Sequence, residues 1–156
     1  SLEGIENTAA ILNASPNISF AMFGAVDYAA ELGVEVLPDP LYHARSILVH
    51  AARRAGINLL DVPCLSFRDE AIVSDEAAYA LSLGFNGKAC LHPTNVNIVN
   101  STFSPTVDQI AHAEHVIALY DQSPNGLAVL DGKLIDKPVI RSMQRILAMR
   151  DAEHPQ

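Results

Sequence analysis

The apolar positions of this chain switch repeatedly between a helical spacing and short continuous runs, and that switching predicts its architecture. Ile5, Ala9 and Leu12 recur at helical spacing until Asn13-Ala14-Ser15-Pro16-Asn17 ends the pattern. Ile18 to Val26 is then an apolar run closed by Asp27, the pattern of a buried strand, with Gly24 marking a sharp turn or a close approach to the backbone. Asp27 opens a loop or short helix, Tyr28 to Leu32, which Gly33 stops. After the loop Pro38-Asp39-Pro40, Leu41, Ala44, Ile47, Leu48, Ala51, Ala52 and Ala55 form the stripe of an amphipathic helix that Gly56 terminates. Asn58-Leu59-Leu60-Asp61-Val62-Pro63 repeats the strand pattern and also ends near a carboxylate. A polar loop, Ser66 to Glu70, precedes a helix through Ala77, Ala80, Leu81 and Leu83, with Ser74 or Asp75 as its expected cap and Gly84 as its stop. Gly87 to Pro93 reads as a third strand. Such alternation of helix and short strand predicts parallel βα units, an α/β fold with helices outside one sheet.

Past Pro93 the pattern changes. Thr94 caps a short helix toward Asn100, and Ser104-Pro105 opens a long helix on Val107, Ile110, Ala111, Val116, Ile117 and Tyr120. Gly126 to Leu130 and Lys133 to Ile135 flank Asp131-Gly132, a dipeptide that predicts a tight β-hairpin. Val139, Ile140, Met143, Ile146, Leu147 and Met149 predict a last amphipathic helix, and the tail Asp151 to Gln156 reads as frayed.

Composition narrows the class. A chain of 156 residues, 49% of them hydrophobic, can bury a real core. Its 10 basic and 18 acidic side chains give a formal charge of -8, and no basic cluster exceeds Arg53-Arg54, which argues against a nucleic acid partner. No apolar run approaches a membrane span and no basic segment precedes an apolar one at the start, so no membrane association is expected. Cys64 and Cys90 lack CxxC spacing and suit buried thiols in a reducing compartment, with cytoplasmic localisation the expectation. Ser1-Leu2-Glu3-Gly4 opens directly into a helical pattern without an initiator Met, which leaves a fragment or a processed chain open.

The candidate chemistry sits where strands end. Asp27 stands at a strand's C-terminal mouth as a hard-cation ligand or base, with the Gly24, Ala25 and Val26 amides as anion donors, or else it only caps the helix that follows. Asp61 either lines a pocket at the second strand's mouth or accepts hydrogen bonds from loop amides. His92 either contacts a ligand or merely ends the third strand with Pro93. Lys88 faces either a ligand phosphate or solvent. Asp136, just before Lys137-Pro138, suits both catalysis and helix capping. His112 and His115 share a helix face without a third ligand nearby, which reads as a solvated surface.

Several stretches taken in order resemble the C-terminal half of the HpcH/HpaI aldolase and citrate lyase beta-subunit family, especially its acyl-CoA lyase branch. They are Ser1-Leu2-Glu3-Gly4-Ile5, Met22-Phe23-Gly24-Ala25-Val26-Asp27, Ala44-Arg45-Ser46, Gly84 to Pro93 (GFNGKACLHP), Phe103-Ser104-Pro105-Thr106 and Asp131 to Pro138 (DGKLIDKP). The resemblance implies that residues 1–103 are the C-terminal strands and helices of a TIM (β/α)8 barrel, and residues 104–156 a C-terminal helix-hairpin-helix extension. It implies a Mg²⁺-dependent carbon-carbon lyase acting on a citryl-CoA, malyl-CoA or citramalyl-CoA type of substrate to give an acetyl thioester and a 2-oxo acid, the thioester being carried on CoA or on an acyl carrier. Asp27 is implied as a metal ligand, Gly24, Ala25 and Val26 as the amides that hold the substrate carboxylate, and Asp136 as a proton-transfer residue reaching a neighbouring subunit's site in a trimer or a multiple of it. The family's second metal carboxylate, a glutamate just before the position of Ser1, and its substrate arginine further upstream are not in this chain. A CoA-independent 2-oxo acid aldolase of the same family and a catalytically silent assembly subunit are the alternative expectations.

Overall fold

The computed structural model describes residues 1–123 and 126–153, and the chain divides into two compact units, Ser1–Phe103 and Ser104–Gln156. The first unit opens with two short helices where the apolar spacing predicts one. α1 (Leu2–Glu6) and α2 (Thr8–Leu12) are interrupted at Asn7, whose φ of -97° and ψ of 8° depart from helical values. Side chains compete with the backbone ladder there: Asn7 Nδ2 donates to the Glu3 carbonyl at 3.0 Å, and the Thr8 hydroxyl reaches the Gly4 and Ile5 carbonyls at 3.0 and 2.8 Å.

The rest of the unit alternates strand and helix. β1 (Phe20–Met22) leads through α3 (Ala25–Leu32) and α4 (Pro38–Ala55) to β2 (Asn58–Asp61), then through α5 (Glu70–Leu83) to β3 (Gly87–Lys88) and α6 (Thr94–Phe103). The strands pair in the order β1-β2-β3, all parallel, with Met22 opposite Leu60 and Asp61 opposite Lys88. β3 stops well short of the expected Pro93. β2 turns away at Val62-Pro63, where proline has no N–H to donate, and β3 loses its pairing partner there.

Only one face of the sheet is covered. Leu59 is buried in a core with Leu41, Ala44, Leu48 and Ala52 of α4, together with Phe23, Tyr28 and Phe85. On the opposite face Phe20 and Met22 are 62% and 54% exposed, which corrects the expectation of a buried first strand. No second layer packs on that face of β1 among the described residues, so its outward side chains stay exposed.

Helix starts differ from the sequence reading for identifiable reasons. α4 begins at Pro38 rather than after the Pro38-Asp39-Pro40 loop, because first-turn prolines sacrifice no helical hydrogen bond. α5 is capped by Asp69, not by Ser74 or Asp75: its carboxylate accepts the Ala71 and Ile72 amides at 3.1 and 3.2 Å, and Val73 is already buried one turn in. α5 ends at Gly84, whose φ of 102° requires a residue without a Cβ.

The second unit contains α7 (Val107–Asp121), β4 (Ala128–Leu130), β5 (Lys133–Ile135) and α8 (Lys137–Glu153). Thr106 and Gln109 form a reciprocal capping box at the start of α7, so the cap lies just past the Ser104-Pro105 expected for it. β4 and β5 are antiparallel, and Asp131 and Gly132 both take positive φ, 49° and 74°, as a type I′ turn demands. Val116, Ile135 and Ile140 form this unit's core, flanked by Ile117, Leu130 and Met143. The expected frayed tail is helical through Glu153, and residues 154–156 lie outside the described residues. Among the described residues no helix is long and apolar enough to cross a membrane.

Candidate functional site

Because the three strands are parallel, their C-terminal ends share one edge of the sheet, and Asp27 follows the first of these ends. β1 passes through Phe23, whose N–H donates to the Leu60 carbonyl at 3.0 Å, and the chain bends at Gly24 (φ -83°, ψ 67°) into α3. Asp27 lies in the first turn of α3, exposed, and does not cap it: no side chain caps this helix. Among the described residues its carboxylate has no hydrogen-bond or ion-pair partner. The N–H groups of Ala25 and Val26 have no intrahelical acceptor, since the residues four positions back belong to β1. A carboxylate without partners therefore stands beside unpaired amides at a helix N-terminus, at the rim of a cavity of about 240 Å³ that Gly24, Met22 and Tyr28 also line.

Gly24 is not forced by its own backbone. Its φ is negative, and an added Cβ would meet Asp27 Oδ2 at 3.6 Å, an ordinary contact. What the glycine leaves is open space over the amides that follow it. Phe23 and Tyr28 hold this bend from behind, both buried, with ring centroids 5.8 Å apart.

Asp61 is placed quite differently. It is 1% exposed and points toward the helices, where Arg45 of α4 grips it bidentately, Nε to Oδ1 at 3.0 Å and Nη2 to Oδ2 at 3.3 Å. Lys88 of β3 adds a bond to Oδ2 at 3.1 Å and reaches Glu76 of α5 at 2.9 Å. Its partners are thus side chains of two elements, α4 and β3, not loop amides, and the cavity it lines is separate from that of Asp27. Lys88 is correspondingly buried and faces neither a ligand phosphate nor solvent. Arg45 is further sandwiched between the rings of Phe23 and Tyr79, 5.6 Å from each centroid. Burial pushes the Tyr79 hydroxyl above its ordinary range. Cys64 is also raised, by burial first and then by its hydrogen bond to Glu76.

The sequence reading missed this ionic cluster. Its signal is the position of Arg45 itself, inside the apolar stripe between Leu41 and Leu48, where only a paired charge can be buried.

The remaining candidates have local partners. His92 is exposed, its Nδ1 engaged by Thr94, and its ring stacks on Phe67 at 5.8 Å. It borders neither cavity described here. Asp136 Oδ1 accepts the Val139 amide at 3.3 Å, the geometry of a cap on α8. His112 and His115 are exposed, as a solvated face requires. Cys90 is exposed and corrects the expectation of two buried thiols, because β3 ends before it. Among the described residues no group of three or more His, Cys, Asp or Glu side chains converges on a metal-sized space.

Comparison with known proteins places this geometry in context. Residues 1–93 match the profile of the family described as HpcH/HpaI aldolase/citrate lyase. The chain is 32% identical to the citrate lyase subunit beta of Leuconostoc mesenteroides over 97% of its length and 52% of that protein's. It is also 32% identical to the (3S)-malyl-CoA thioesterase of Cereibacter sphaeroides, over 96% of this chain and 54% of the relative. The chain thus spans about half the length of the curated relatives it matches. Among solved structures it superimposes on the protein CitE of Mycobacterium tuberculosis in complex with magnesium, acetoacetate and coenzyme A, with a TM-score of 0.83, 28% identity, and coverage of 96% of this chain and 58% of that one.

Proposed function

Because this chain belongs to the HpcH/HpaI aldolase/citrate lyase family, we propose that it forms part of a Mg²⁺-dependent acyl-CoA lyase with Asp27 as one protein ligand of the metal. The observation that carries the reading is the unpartnered Asp27 carboxylate at a parallel strand's mouth, next to free first-turn amides. The donor set fits the ion. A lone carboxylate open to solvent, with no His or Cys lining its cavity, suits a hard cation that keeps waters and takes its other ligands from substrate oxygens. When bound, Mg²⁺ supplies Lewis acidity and a template for the oxygens of a 2-oxo acid or of the β-hydroxyacyl thioester that yields it.

The chain's own residues have distinct parts in this reaction. The Gly24, Ala25 and Val26 amides receive the substrate carboxylate at the positive end of α3, and the missing side chain at Gly24 leaves the approach open. Asp27 would hold the Mg²⁺ beside these amides and offset part of the ion's charge. Asp136 acts as the proton-transfer group at the acetyl carbon of a neighbouring subunit's site, in a trimer or a multiple of one, using the carboxylate oxygen that its capping bond leaves free. Closure of the parallel strands into a (β/α)8 barrel would cover Phe20 and Met22, which accounts for so much apolar surface on the uncovered face. The relatives' names favour a CoA thioester over a free 2-oxo acid as substrate.

The test is cleavage of citryl-CoA, malyl-CoA and citramalyl-CoA by the purified protein, with added Mg²⁺ and with chelator. Expected is metal-dependent release of acetyl-CoA from one of them, falling about 100-fold or more in Asp27→Ala. Equal rates in wild type and variant, or cleavage indifferent to chelator, would remove Asp27 from the metal site. Turnover of free 2-oxo acid adducts alone would favour the aldolase, and no turnover at all a silent assembly subunit.

A further inference from the structure

A second cavity, about 510 Å³, opens between the start of α4 and the middle of α5, against the Arg45-Asp61 pair. It is the larger of the two cavities described and falls within the usual range of small-molecule sites, about 300–1,000 Å³. One wall is apolar: Val36, Leu37 and Leu65, which the fold leaves 37%, 50% and 53% exposed, converge on it. Large hydrophobic side chains gathered around a concavity, rather than scattered, mark a place where something binds.

The opposite side is polar and incompletely satisfied. Arg45 is only 6% exposed and lines the cavity. Its Nε and Nη2 are engaged by Asp61, while Nη1 has no hydrogen bond. Among the described residues no fully buried side-chain polar atom lacks a partner, so Nη1 keeps some accessible surface, and Arg45 is one of the residues that line the cavity. From α5, Glu76 and the exposed Asp75 present carboxylates to the same space.

This combination selects against singly charged ligands. A lone anion at Arg45 would approach Asp61, Glu76 and Asp75, and a lone cation at Glu76 would approach Lys88 and Arg45. A group carrying both charges on neighbouring atoms, joined to an apolar branch, meets each wall with its complement. We infer that this cavity binds apolar α-amino acids, with the carboxylate on Arg45 Nη1, the ammonium toward Glu76 and Asp75, and the side chain against Val36, Leu37 and Leu65. The site uses nothing of the Asp27 chemistry and stands or falls independently of it.

Isothermal titration of the 156-residue chain with L-leucine tests this, with L-alanine, isocaproate and isoamylamine as probes lacking the apolar branch, the ammonium and the carboxylate. Expected is saturable binding of L-leucine with a Kd of about 1 mM or tighter, at least ~10-fold weaker for each comparison compound. Arg45 variants risk unfolding, so the substitutions are at exposed positions. Leu65→Asp should abolish binding and Asp75→Asn weaken it about 3-fold, both with an unchanged far-UV spectrum. No saturable heat with L-leucine, equal affinity for isocaproate or isoamylamine, or undiminished binding in Leu65→Asp would overturn the assignment.

Discussion

Asp27 and Asp61 occupy nearly equivalent places, each at the end of a short apolar run leading out of a parallel strand, yet the fold puts them to opposite uses. Asp61 faces the helices, is 1% exposed and holds two cations. Asp27 lies past a glycine bend, on a helix's first turn, with none. A buried carboxylate must be paired, and once paired it is structural. A carboxylate left unpaired at a strand mouth is available to a ligand. The difference teaches that burial and partners, rather than position after a strand, separate scaffold from site.

The contrast can be broken most directly at Asp61. Asp61→Ala leaves Arg45 and Lys88 buried with only Glu76 between them, and equilibrium denaturation should show a loss of about 3–5 kcal/mol. Lys88→Met is milder, since Arg45 still grips Asp61 and the half-buried Glu76 can turn to water, and a loss of about 1–3 kcal/mol is expected by the same measurement. Asp136→Ala removes the cap on α8 and should cost about 1 kcal/mol, largely restored in Asp136→Asn, so a loss of activity that persists in the Asn variant isolates the proposed proton transfer. Asp27→Asn, at the other extreme, should leave stability within about 0.5 kcal/mol of wild type. A large destabilisation there would mean that Asp27 is structural after all.

The smallest effect concerns the thiols. Burial raises the Cys64 thiol, so its unfolded form ionises first as pH climbs, and its contribution is full at neutral pH and declines through the alkaline thiol range. Cys90, being exposed, should react with a thiol reagent in the native state well before Cys64. Equal labelling rates would show that the α5–α6 region opens as readily as the surface.

The sequence by itself determined the element types and their order. Leu41 to Ala55 can form little but a one-sided helix, Gly56 and Gly84 stop helices because they accept left-handed backbone, and Asp131-Gly132 admits a type I′ turn. Motif order was also legible, from Phe23-Gly24 to Gly87-Lys88, and with it the family. These are local properties, set by spacing and by the conformations each residue permits. Only the tertiary structure decided the rest. The pairing of Arg45, Asp61, Lys88 and Glu76 in one ionic cluster draws residues from α4, β2, β3 and α5 together, and no spacing along the chain records which of them touch. Whether β1 is covered depended on what packs against its outer face, and α5 began about one turn ahead of the anticipated caps, with Asp69 capping it and Val73 buried in its first turn. Long-range partners set the cost of each charge, and that cost separates Asp61 from Asp27.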